Sequence, residues 1–148
     1  MISSDFNLNK TNPFLENYFE EVFFDLNNLI NTIISNLNEI NFDTIVVTGI
    51  SGMLIAPHLA LKMKKNLFII RKEKDNTHSC SNYVGCLGKN WIFLDDHITT
   101  GSTLNRVYYE IEKIQDSYGM ETNFIGAFLY NYKEWFTYNK LQKYLFYK

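Results

Sequence analysis

The chain has 148 residues, 46% of them apolar, which is enough for one hydrophobic core and too little for two ordinary domains. A net charge of −2, with acidic and basic residues interspersed, excludes a surface built to coat nucleic acid and means that any anionic ligand is held locally. Cys80 and Cys86 lack both the spacing and the His partners of a zinc site. The start MISSDFNLNK lacks the cationic and apolar regions of a leader, and no run approaches the ~20 apolar residues that span a bilayer. A cytoplasmic protein with free thiols and no membrane partner is expected.

Asn12 and Pro13 give a helix start, and Leu15, Tyr18, Phe19, Val22, Leu26, Leu29, Ile30, Ile33 and Leu37 then recur at three- and four-residue intervals. This spacing predicts a long amphipathic helix, broken at most once, over the first forty residues. The β-branched run Thr44 to Thr48 reads as a buried strand that ends at Gly49. A helix follows from about Met53 to Lys65, with Pro57 requiring a late start or a bend. Leu67 to Ile70 is a second buried strand. After it comes RKEKDNTHS, Arg71 to Ser79, nine residues without an apolar side chain, which reads as an exposed loop or hairpin.

Trp91 to Leu94 forms a third strand, and apolar residues at helical spacing from Ser102 to Ser117 predict a helix that stops at Gly119. Asn123 to Leu129 is a further strand. Strands alternating with helices imply a parallel, twisted sheet flanked by helices, a Rossmann-like α/β domain. One domain over 1–148 is expected, with a helical segment to about 40, a core from about 41 to 130, and a tail from 131 onward.

The segment WIFLDDHITTGSTL carries the chemistry. Asp95 and Asp96 end a buried strand, and Thr99, Thr100, Gly101, Ser102 and Thr103 lead into a helix. Backbone N–H groups at a helix start, together with hydroxyls, hold a phosphate dianion. Two carboxylates repel phosphate and need hydroxyls or a metal as partners, so the combination points to a sugar phosphate. A Walker A loop is excluded, because Gly101 is followed by Ser102 where that loop requires Lys. A receiver-type aspartate site would not need the Thr/Gly/Ser loop that follows.

This arrangement resembles the signature of the type I phosphoribosyltransferases, which bind phosphoribosyl pyrophosphate (PRPP). The resemblance implies that Asp95 and Asp96 take the ribose hydroxyls and that Thr99 to Thr103 cradle the 5′-phosphate. The turn TGISG, with Gly49, Ile50, Ser51 and Gly52, is similar to the family's pyrophosphate loop. The segment after the second strand is similar to a flexible hood loop, closest to the orotate type, which implies that Arg71, Lys72 and His78 neutralise pyrophosphate and that Arg71 serves catalysis. Asp75 and the stretch after it depart from that type.

Thr99 stands where relatives acting on 6-oxopurines carry an Asp, which counts against such a base. His58 and His97 are explained as well by structural imidazoles as by catalysis. The implied reaction joins a nucleobase nitrogen to C1′ of PRPP and releases pyrophosphate, with Mg²⁺ carried by PRPP, a homodimeric assembly and a small hood built from the termini. Trp135, Phe136 and Tyr138 are available there to stack a base. A non-catalytic sensor of PRPP or nucleotides on the same fold is the alternative.

Overall fold

The computed structural model describes residues 25–72 and 81–145. The expected helix from Leu15 falls partly outside them, as do His78, Cys80 and most of the loop Arg71 to Ser79. Six strands form one sheet in the order β3-β2-β1-β4-β5-β6. They are β1 Thr44–Val47, β2 Asn66–Ile70, β3 Tyr83–Gly85, β4 Asn90–Asp95, β5 Asn123–Leu129 and β6 Glu134–Thr137. The four central strands are parallel, whereas β3 and β6 run antiparallel at the two edges. The parallel sheet flanked by helices expected from the sequence is present, and it gains one antiparallel strand at each edge. Short edge strands lack the two-sided burial that gives central strands their apolar runs, so YVG and EWFT carry little local signal.

Helix α1, Leu26–Leu37, buries Leu29, Ile30, Ile33 and Leu37 on one face of the sheet. Ile45, Val47, Ile92 and Leu94 meet that face, while Val46, Trp91 and Phe93 point to the other, as the two-residue strand period requires. The opposite face is covered by α4, Ser102–Tyr118, through Leu104, Val107, Ile111 and Ile114. This helix ends at Gly119 in the left-handed conformation, φ 60°, the stop expected from the sequence.

The β1-to-β2 crossover is split into α2, Gly49–Met53, and α3, Ala56–Met63, with Pro57 in the first turn of α3. A proline is tolerated there because a first-turn N–H has no intrahelical partner. After β6 the chain forms α5, Tyr138–Leu141, and a 3₁₀ turn, Gln142–Tyr144. Residues from 131 onward, read from the sequence as a tail, therefore add a strand and packed helical turns. The crossover from β1 leads to β2 on one side, and β4 pairs with β1 on the other. This reversal of strand order leaves a crevice at the carboxyl ends of β1 and β4.

Candidate functional site

A cleft of about 540 Å³ opens at that crevice, lined by Thr48 to Ser51, by Lys72, and by Asp95 to Leu104. Of the residues singled out from the sequence, it brings together Asp95, Asp96, Gly49, Ile50, Ser51, Lys72 and all of Thr99, Thr100, Gly101, Ser102 and Thr103. Gly52 and Arg71 do not line it.

The acidic pair is largely withdrawn from solvent, with Asp95 7% and Asp96 6% exposed. Burial pushes the Asp95 carboxyl up to about 6, against the stabilising hydrogen bonds from the Asp96 N–H and the Ser51 hydroxyl. Those bonds measure 3.0 and 2.9 Å, both to Oδ1. Asp96 accepts the His97 backbone N–H at 2.9 Å on Oδ1 and lies 3.1 Å from His97 Nδ1 on Oδ2. Both carboxylates are thus held by short-range contacts at a strand end. His97 is brought to the cleft rim, with its ring against Asp96.

Two residues that the sequence reading missed fix this geometry. Tyr130, buried just after β5, donates its hydroxyl to the Ser51 carbonyl at 3.0 Å, while its backbone N–H donates to Asp95 at 3.0 Å. It ties the α2 turn to the acidic pair from below. Arg106, in the second turn of α4, donates to Thr48 Oγ1 at 2.8 Å and to the Arg71 carbonyl at 3.4 Å. It joins the ends of β1 and β2 to the helix that follows the Thr/Gly/Ser loop. Neither role was legible locally, since both depend on partners dozens of residues away.

The expected pyrophosphate turn differs in detail. Residues Gly49–Met53 form a helical turn rather than an open loop. Gly49, at φ +75°, allows the backbone to approach Lys72, whose Cε would lie 3.3 Å from a Cβ placed there. Gly52 has another job: a Cβ there would sit 2.9 Å from the Leu94 carbonyl oxygen and from Val47 Cβ, so this glycine lets α2 pack on β1 and β4. The Arg71 guanidinium reaches the Ser81 carbonyl at 3.5 Å, while Lys72 lines the cleft.

In the Thr/Gly/Ser loop, Gly101 takes φ 82° as the residue preceding α4. A Cβ there would overlap the Tyr144 ring, so glycine is required both by conformation and by the packing behind it. The Ser102 N–H rests on Thr100 Oγ1 at 3.3 Å. The first-turn N–H groups that follow have no intrahelical carbonyl to bond, as at any helix start. Hydroxyls of Thr100 and Ser102, 3.1 Å apart, stand beside them.

Solved structures share this architecture. Adenine phosphoribosyltransferase from Saccharomyces cerevisiae superposes with a TM-score of 0.55 at 22% identity, over 74% of this chain and 70% of that one. UMP synthase from Leishmania donovani gives 0.51 at 18% identity, over 74% of this chain and 23% of that one. The chain has a type I phosphoribosyltransferase fold. In sequence, orotate phosphoribosyltransferase from Archaeoglobus fulgidus is 38% identical over 71 residues. That match spans 47% of this chain and 40% of the length of that enzyme. No family model matches the sequence. Among the described residues no helix is long and apolar enough to cross a membrane.

Proposed function

We propose that this chain is a phosphoribosyltransferase that moves the 5-phosphoribosyl group of PRPP to a nucleobase nitrogen. The observation that carries the reading is the convergence of three chemistries on one cleft: a carboxylate pair, a hydroxyl-rich helix start, and a glycine turn faced by a lysine. In this reading the carboxylates of Asp95 and Asp96 accept the ribose 2′ and 3′ hydroxyls. The 5′-phosphate sits on Thr99 to Thr103, and pyrophosphate lies over Gly49 to Ser51 beside Lys72. Arg71, placed behind this turn, and His78, outside the described residues, belong to the pyrophosphate side of the proposal.

The C1′–N bond forms as the C1′–O bond to pyrophosphate breaks, with positive charge developing on the ribose ring. The protein then contributes positioning and charge compensation, the two largest sources of rate in such a displacement. Buried carboxylates below the ring favour that developing charge, and Lys72 compensates the departing pyrophosphate. Mg²⁺ would enter with PRPP, whose phosphate and hydroxyl oxygens supply the ligands this ion prefers. When bound, it supplies charge neutralisation for the leaving group.

Two features of the cleft bear on the base. Thr99 offers a hydroxyl where a carboxylate would handle a purine ring proton, and this argues against 6-oxopurines. His97 stands at the rim with its ring against Asp96, a polar group available to a base edge. The test is incubation of the chain with PRPP, Mg²⁺ and, separately, adenine, guanine, hypoxanthine, uracil and orotate, with pyrophosphate release as the readout. Release with one base, abolished by Asp95→Asn/Asp96→Asn, supports the reading. Silence with all five, in a chain that binds PRPP, favours a sensor.

A further inference from the structure

A second cleft, of about 450 Å³, lies behind the phosphate loop, between β5, β6 and the C-terminal turns. Leu129, Phe136 and Leu141 give it an apolar lining, and Tyr132 stands at its side, its ring 6.3 Å from that of Phe136 at an edge-on angle. Lys140, in α5, and Lys143, in the 3₁₀ turn that follows it, both line the cleft. Their ammonium groups lie over the rings of Phe136, at 6.0 Å, and Tyr144, at 5.0 Å, with no carboxylate partner among the described residues. Glu134 is also in the lining and is able to accept a ring N–H or a sugar hydroxyl.

An apolar, aromatic interior takes a planar ring. Two ammonium groups at one cleft take a dianion. We infer that this cleft is an effector site for a nucleoside 5′-monophosphate, with its base among Leu129, Tyr132 and Phe136 and its phosphate on Lys140 and Lys143. Ile98 lines both clefts, and Tyr144, a wall of the second, packs on Gly101 of the phosphate loop. Occupancy of the second cleft braces that loop from behind, so nucleotide and PRPP tighten each other's binding by the same factor. This coupling rests on the proposed PRPP site, whereas the nucleotide site itself does not.

The test is calorimetric titration of the full chain with AMP and with UMP, alone and with PRPP and Mg²⁺ at saturation, using inorganic phosphate and the free nucleosides as controls. One nucleotide is expected to bind in the presence of PRPP, with PRPP affinity raised severalfold. Lys140→Ala/Lys143→Ala is expected to weaken nucleotide binding at least tenfold and to leave the affinity for PRPP alone unchanged. Tyr144→Ala is expected to keep nucleotide binding and lose the coupling. With PRPP saturating, so that nucleotide cannot occupy the proposed 5′-phosphate site, absence of nucleotide binding, indifference to the lysine substitutions, or binding of phosphate as tight as that of nucleotide would each overturn the inference. Failure of PRPP to bind would instead sink the transferase reading, and the lysine comparison would still decide the second site.

Discussion

Asp95 combines deep burial with a proposed role at the ribose that needs its charge. Its carboxyl ionises at about 6 against an ordinary value of 3.8, chiefly because burial disfavours the anion. Between these two values the folded chain holds a proton that the unfolded chain has lost, so stability falls as pH rises through the window from about 4 to 6. Asn at this position keeps an Oδ1 acceptor for the Ser51 hydroxyl and the Asp96 N–H while removing the buried charge. Asp95→Asn is therefore expected to melt at or above the wild-type temperature at pH 8, with the difference vanishing toward pH 4, in thermal scans across that range.

Ligand binding has the opposite dependence. A protonated carboxyl accepts a ribose hydroxyl poorly, and hydrogen bonds to charged groups contribute ~1.5 to 3 kcal/mol. PRPP affinity is expected to drop by up to roughly tenfold as pH falls from 7 to 5, and Asp95→Asn is expected to show the low affinity at every pH. A flat titration of affinity against pH in the wild-type chain would show that Asp95 does not meet the ribose.

Among the elements, the α2 turn is constrained by its packing in a way that its sequence does not show. Gly52 looked like part of an anion loop because glycine-rich strand-to-helix turns commonly are. Its contacts with the Leu94 carbonyl and Val47 depend on how α2 lies across β4, which no local pattern records. Gly52→Ala must displace backbone or core, so a loss of ~1 to 3 kcal/mol in denaturant unfolding is expected. Gly49→Ala would instead strain a positive φ at the cleft. Arg106 was missed for a similar reason: a lone arginine on an amphipathic helix has the look of a solvated face. Because it links Thr48 to the Arg71 carbonyl, Arg106→Met is expected to raise the KM for PRPP severalfold while the rest of α4 stays folded by circular dichroism.

At the scale of the whole molecule, the central strands and α4 were legible because burial on both faces writes itself as apolar runs, and because Gly119 stops the helix at the expected residue. Asn123 to Leu129 matches β5 residue for residue. The acidic pair and the Thr/Gly/Ser loop were legible too, since both fall within one continuous segment whose order reproduces the path from strand to helix. The edge strands were not: Tyr83–Gly85 and Glu134–Thr137 are short, partly exposed and antiparallel. The second cleft was equally hidden, because it is assembled from β5, β6 and the 3₁₀ turn that wedges Tyr144 behind Gly101.

The sheet order places β1 and β4 side by side, and it is this adjacency that puts Ser51 within hydrogen-bonding distance of Asp95. The central claim is that the resulting cleft transfers a phosphoribosyl group. Its most direct measurement is the stoichiometry of products formed from PRPP and Mg²⁺ with each candidate base, resolved by anion-exchange chromatography. Equimolar nucleoside 5′-monophosphate and pyrophosphate are expected with one base, both lost in Asp95→Asn/Asp96→Asn; pyrophosphate without nucleotide, or equal yields from the double variant, would contradict the claim.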